Sequence, residues 1–154
     1  MSIPLHYWDS CTFLGYFNDE KDKIDGCISV LEDAQEKKLK IVTSSITLVE
    51  VIKIKGKPIP PKEQEEVIMK FFRANSDWII FIDAERKTME IARGLIRDFG
   101  LKAYDAIHSA TAIRAKVNFI DTFDPDILKL SNKIGDPPII VQTPPVRRQL
   151  RIQF

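Results

Sequence analysis

Short apolar runs that alternate along the chain with segments of helical periodicity predict an α/β protein. The expected architecture is a three-layer α/β/α sandwich around a central, mostly parallel five-stranded sheet, because strands separated by helices pair in parallel and bury both sheet faces. A length of 154 residues suits one such domain with one buried core. Apolar residues at 44% and charged residues at 29% are the balance of a folded globular chain.

The elements follow in order. Ile3 to Trp8 reads as a buried strand that stops at Asp9. Thr12 to Asn18 reads as a short helix carrying Phe13, Leu14 and Phe17 inward. Lys21 to Lys38 places Ile24, Cys27, Ile28, Leu31 and Ala34 at three- and four-residue spacing, an amphipathic helix. Lys40 to Thr43 is the second strand, and Ser44 or Ser45 is a candidate cap for a helix running through Val49, Glu50 and Ile52. Lys55 to Pro61, with one glycine and three prolines, is a loop. Pro61 can open the next helix, which carries Val67, Ile68, Phe71 and Phe72. Trp78 to Ile82 is the third strand. Ala84 to Phe99 is a helix with Met89, Ala92, Leu95, Ile96 and Phe99 on one face, and Gly100 stands where a helix ends. Ala103 to Ala115 is a further helix with Ala106, Ile107, Ala110 and Ile113 inward. Asn118 to Asp121, a short helix from Asp126 to Ser131, and Ile139 to Val141 complete the pattern. Residues 1–143 read as a single domain and residues 144–154 as a basic tail with Arg147, Arg148 and Arg151.

Composition excludes several classes. A formal net charge of +1 means that any nucleic-acid binding rests on a local patch. Cys11 and Cys27 have neither the number nor the spacing of a zinc site or a disulfide framework, and a reduced, cytoplasmic setting is expected. The N-terminus lacks the pattern of a signal peptide. No apolar stretch approaches the roughly 20 residues that cross a bilayer, so no membrane association is expected.

Chemistry enters with the acids. Asp9 sits at the carboxyl end of the first strand, Glu50 on the helix after the second, Asp105 at the start of a helix, and Asp124 just after the fourth strand with Asp126 close behind. Ligands in open α/β sheets collect at the carboxyl ends of strands, near a switch in strand order. Converging there, these carboxylates would repel one another and require raised pKa values or bound cations. Oxygen ligands suit hard cations, Mg²⁺ or Mn²⁺.

Four blocks of sequence carry a resemblance. They are Tyr-Trp-Asp-Ser-Cys-Thr-Phe-Leu (7–14), Ser-Ser-Ile-Thr-Leu-Val-Glu-Val (44–51), Lys-Ala-Tyr-Asp-Ala-Ile-His-Ser-Ala-Thr-Ala (102–112) and Asp-Thr-Phe-Asp-Pro-Asp-Ile-Leu-Lys-Leu (121–130). In this order, on these elements, the sequence resembles the PIN-domain nucleases, and among them the toxin ribonucleases of toxin–antitoxin pairs. The resemblance implies that Asp9, Glu50, Asp105 and Asp124 bind metal, that Ser10 assists the first acid, and that Asp126 is an additional ligand. Cys11 stands where many members have asparagine, and Pro125 interrupts the last block. The activity implied is metal-dependent (Mg²⁺ or Mn²⁺) hydrolysis of phosphodiester bonds in single-stranded RNA. The implied partners are an RNA substrate, an antitoxin protein and a second copy of the chain in a homodimer.

Each acid also has a plainer role. Asp9 and Asp105 can serve helix starts, Glu50 can be a solvated helix residue, and Asp124 and Asp126 can be loop acids. Leu48, Val49, Val51 and Ile52 around Glu50 predict its burial. His108 reads as a hydrogen-bonding wall of the pocket and His6 as structural. Thr122 is a candidate for ordering water at the site, while Trp8 and Trp78 read as core. Lys53, Lys55, Lys57 and Lys62 form a basic patch beside Glu50 that can grip phosphates or simply be solvated. A haloacid-dehalogenase-type phosphatase needs an aspartate where Cys11 stands, and a receiver domain needs a lysine after the last strand, which Ile139-Ile-Val-Gln-Thr lacks. A PIN-like fold that binds RNA or protein without cleaving is the alternative from another class.

Overall fold

The computed structural model describes residues 2–56 and 58–147. Five strands form one sheet: β1 (Leu5–Trp8), β2 (Lys40–Ser44), β3 (Ile79–Ile82), β4 (Phe119–Asp121) and β5 (Ile140–Gln142). Their order is β3-β2-β1-β4-β5. Every pairing is parallel, including His6 with Ile41 and Trp8 with Asp121. The expected mostly parallel sheet is thus wholly parallel. The chain leaves the central β1 toward β2 and β3, then returns to the other flank for β4 and β5. Strand order therefore switches between β1 and β4, where a crevice opens beyond the carboxyl ends.

Seven helices cover the sheet among the described residues: α1 (Ser10–Phe17), α2 (Ile24–Gln35), α3 (Thr47–Glu50), α4 (Pro61–Ala74), α5 (Arg86–Phe99), α6 (Ala103–Arg114) and α7 (Pro125–Leu128). Strand residues alternate between two cores, as a pleat requires. Trp8, Ile41 and Ile79 pack with Phe13, Phe17, Cys27, Leu31, Ile68 and Phe72 of α1, α2 and α4. Tyr7, Val42 and Ile120 point the other way, toward Ala92, Leu95, Ala106, Ala110 and Ile127 of α5, α6 and α7. These are the two outer layers of the sandwich.

Pro61 opens α4, and Gly100 closes α5 in the left-handed region at φ 68°, where a side chain would be strained. The third helix differs from expectation. It is one turn long, its N-cap is Ile46 without a side-chain cap, and Val51 ends it. Ser44 Oγ accepts the Ile46 N–H, while Ser45 Oγ accepts the Ala84 N–H from the neighbouring loop, so neither serine caps the helix. Apolar spacing also overstated burial. Ile28, Val67, Ile96 and Phe99 are exposed, as are Leu48, Val49 and Ile52; of Glu50's apolar neighbours only Val51 is buried. Ile28, Val67, Ile96 and Phe99 lie on α2, α4 and α5 outside the buried faces of those helices, and Ile52 lies beyond the end of α3.

Behind β5 the chain crosses α2. A Cβ on Gly26 would lie 2.2 Å from the Pro144 carbonyl oxygen, so only glycine admits this crossing. Arg147 then donates to Asp33, with Glu32 3.9 Å away, and its backbone N–H donates to Ser29 Oγ. This arginine is engaged within the chain. Lys57, Arg148 and Arg151 lie outside the described residues.

Candidate active site

Asp9 is the first residue beyond β1 and caps α1. Its Oδ1 accepts the Thr12 N–H at 3.1 Å, the Thr12 hydroxyl at 2.8 Å and the Cys11 thiol at 3.0 Å. Its Oδ2 accepts the Thr122 hydroxyl at 2.5 Å. Capping and site placement are the same geometry: the tight turn from strand to helix leaves the carboxylate, only 3% exposed, at the mouth of the β1/β4 crevice. Burial, then the charge of Asp9, pushes the Cys11 thiol up to about 12. Cys11 is therefore a hydrogen-bond donor at neutral pH and no nucleophile.

Glu50 reaches the cleft from the end of α3. Its Oε1 accepts from the Ser10 hydroxyl at 2.6 Å and from His108 Nε2 at 2.7 Å. His108, buried on α6, faces Tyr7 with its other nitrogen, Nδ1 to Oη 2.6 Å. Burial alone would raise the Glu50 carboxyl, but hydrogen bonds from His108 and Ser10 outweigh it and hold the group below its ordinary value. Tyr7 is wholly buried, and burial, followed by the charge of Asp9, keeps it a phenol.

The third group is purely acidic. Asp105 lies in the first turn of α6, after Lys102 as N-cap. Asp124 caps α7 by accepting the Asp126 N–H at 2.8 Å, and its own N–H donates to Thr122 Oγ1 at 3.0 Å. One carboxylate oxygen from each of Asp105, Asp124 and Asp126 lies within 4.8 Å of the others. Among the described residues, no lysine or arginine is within ion-pairing distance of Asp105 or Asp124, and Asp126 meets only the exposed Lys129 at 3.8 Å. Burial, then the charges of Asp124 and Asp9, raises the Asp105 carboxyl from 3.8 to about 6.

Asp9, Ser10, Cys11, Glu50, Asp105, His108 and Asp124 line one cleft of about 200 Å³. The four acids and the serine singled out in the sequence thus share one cleft. Asp126 joins through the acidic group, while Asp9 and Glu50 face the cleft without entering that group. The donor set fits a hard divalent cation: it is all oxygen, among the described residues no lysine or arginine lies within ion-pairing distance of Asp105 or Asp124, and burial together with the charges of Asp124 and Asp9 raises the Asp105 carboxyl to about 6.

His6 is structural, its Nδ1 2.8 Å from Oδ2 of Asp121. Thr122 joins Asp9 to Asp124 through its hydroxyl. Trp8 is core, whereas Trp78 is half-buried. Lys53, Lys55 and Lys62 are exposed. Sequence reading missed Tyr7 as a neighbour of the site and Asp121 as a fully buried acid. Tyr7 carried a usable sign: a tyrosine on a central strand needs a partner for its hydroxyl.

Known proteins place this geometry. The PIN domain family profile matches residues 7–133. No curated protein is similar enough in sequence to count as a match. Among solved structures, VapBC2 from Rickettsia felis, bound to a DNA fragment from its promoter, aligns with a TM-score of 0.62 at 21% identity, covering 90% of this chain and 98% of that one. A toxin–antitoxin complex from Klebsiella pneumoniae aligns at 0.54 and 21% identity, covering 80% and 89%. FitAcB from Neisseria gonorrhoeae aligns at 0.58 and 14% identity, covering 90% and 97%. At these identities the structures speak for the fold, and the profile, which extends over most of the chain, speaks for kinship. The chain belongs to the PIN domain family, a family of nucleases.

Proposed function

We propose that this protein is a Mg²⁺- or Mn²⁺-dependent endoribonuclease that cuts single-stranded RNA, and that it is the toxin of a toxin–antitoxin pair. The observation that carries the reading is the group of Asp105, Asp124 and Asp126, of which Asp105 and Asp124 line the same cleft as Asp9 and Glu50. A bound cation would supply an activated water and offset the charge of the phosphodiester. The chain's own part is to hold it. Asp105, Asp124 and Asp126 provide clustered oxygens, Asp9 is fixed by Thr12 and Thr122, and Ser10 secures Glu50. The exposed Lys53, Lys55 and Lys62, beyond α3, are the residues this reading assigns to RNA phosphates.

The toxin assignment draws on the solved toxin–antitoxin complex that the fold resembles. It implies an antitoxin partner, a homodimer and action in the cytoplasm. The deciding experiment is cleavage of end-labelled single-stranded RNA with Mg²⁺ or Mn²⁺, by the wild type and by Asp105→Asn. Metal-dependent cutting that leaves 5′-phosphate and 3′-hydroxyl ends, lost in a folded variant, is the expected result. Metal-independent 2′,3′-cyclic phosphate ends would overturn the chemistry. No cutting, with no Mn²⁺-induced rise in Tm, would leave a PIN-like module that binds RNA or protein without cleaving.

A further inference from the structure

Glu50 is tethered differently from the other acids of the cleft. Both donors that reach it, Ser10 Oγ and His108 Nε2, meet the same oxygen, Oε1; no described residue donates to Oε2. His108 is 3% exposed and Tyr7 is fully buried, so neither ring has water as a ready alternative partner. The partners fix the proton positions. Nε2 lies 2.7 Å from the carboxylate oxygen and 3.1 Å from Ser10 Oγ, whose own hydrogen goes to Glu50, so Nε2 carries a hydrogen, and in the neutral imidazole Nδ1 is then an acceptor. The Tyr7 hydroxyl, 2.6 Å from Nδ1, donates to it. Tyr7 comes from β1, His108 from α6 and Glu50 from α3, so the series spans three elements.

We propose that Tyr7 and His108 are positioning residues for Glu50: Tyr7 fixes the tautomer of His108, His108 ties back Oε1, and Oε2 is left as the oxygen for the cation. This rests on reading the cleft as a metal site and adds two residues that act through Glu50. A side chain that hydrogen-bonds a ligating carboxylate restricts its orientation, and removing it lowers metal affinity. Tyr7→Phe keeps the ring in the core and deletes only the hydroxyl.

The test combines two measurements on the folded protein. In ¹⁵N-imidazole NMR of the metal-free chain, which has only two histidines, the spectrum of His108→Gln assigns the His108 signal. The expected wild-type state is the Nε2–H tautomer with a hydrogen-bonded Nδ1, and Tyr7→Phe should shift Nδ1 toward the unbonded value. Calorimetric Mn²⁺ titration should then show Tyr7→Phe and His108→Leu weaker by about 10- to 100-fold. His108→Gln retains an N–H donor and an acceptor, so it should bind more tightly than His108→Leu. An Nδ1–H tautomer in the wild type, or a folded Tyr7→Phe protein with wild-type Mn²⁺ affinity, overturns the proposal and leaves the nuclease reading standing. A wild type that binds no Mn²⁺ sinks both, and so separates the two failures.

Discussion

Two acidic neighbourhoods lie at the carboxyl end of β4, their acids Asp121 and Asp124 three positions apart and opposite in design. Asp121, the last residue of the strand, is fully buried, and its oxygens accept from Trp8 Nε1 at 3.1 Å and Gln142 Nε2 at 3.2 Å beside His6 Nδ1 at 2.8 Å. Past Thr122 the chain turns into the cleft, where Asp124 and Asp126 face Asp105, and among the described residues no lysine or arginine lies within ion-pairing distance of Asp105 or Asp124. The first arrangement completes its hydrogen bonds within the protein and needs nothing further. The second leaves Asp105 and Asp124 without a lysine or arginine partner among the described residues, and on the proposed reading a cation completes it. Burial alone does not separate a structural acid from one proposed to hold a metal, since Asp9 and Asp121 are both buried and both accept hydrogen bonds from the protein.

Removing Asp121 should have the largest effect on stability. Asp121→Ala leaves His6 and Trp8 with buried polar atoms unpartnered, and each such group costs about 1–3 kcal/mol. Urea unfolding should record this loss, while calorimetry should find Mn²⁺ affinity unchanged in the folded fraction. A variant that stays stable but binds Mn²⁺ poorly would place Asp121 in the metal site and erase the contrast.

A smaller loss is expected on the side of Asp121 where the chain leaves β5. Gly26→Ala puts a methyl 2.2 Å from the Pro144 carbonyl oxygen, which forces the crossing segment off α2. Overpacking of this kind costs about 1–3 kcal/mol. The Arg147–Asp33 pair should loosen with it, making the variant cleave earlier at this segment in limited proteolysis. Unchanged stability and proteolysis would mean that the crossing contributes nothing to the fold.

How far these regions were legible in the sequence follows from the range of their interactions. The strands and the order of elements were legible because apolar runs and helical periodicity are local. That Asp9, Glu50, Asp105 and Asp124 share a cleft was legible through their motif blocks, with Asp9 and Asp124 just after strands, Glu50 in a one-turn helix and Asp105 in the first turn of α6. Asp121 was read only as the end of a strand, since its partners His6 and Trp8 lie 115 and 113 residues away and nothing local marks it as buried. The Tyr7–His108 contact, 101 residues apart, was hidden for the same reason. The surroundings of Glu50 misled in the opposite sense: Leu48, Val49 and Ile52 look like a core face, yet α3 ends after one turn and leaves them on the surface.

The subtlest expected effect tests the charge imbalance itself. In the metal-free protein the Asp105 carboxyl is raised from 3.8 to about 6 by burial and by Asp124 and Asp9. Between those values the folded state binds more protons than the unfolded state, so stability falls as pH rises through the window. Below pH 4 the group is protonated in both states and exerts no penalty. Above pH 6 the penalty is complete. The full shift corresponds to roughly 3 kcal/mol, and solvent screening of this half-exposed carboxyl reduces the expected effect to about 1 kcal/mol. Asp105→Asn removes the ionising group, so without metal it should be more stable than the wild type at pH 7, with the gain vanishing toward pH 4. Saturating Mn²⁺ should invert the order at pH 7, because the cation stabilises only the protein that binds it well. Parallel stability curves for the two proteins at every pH, with and without Mn²⁺, would show that the cleft holds no unmatched charge and that its acids are as self-sufficient as Asp121.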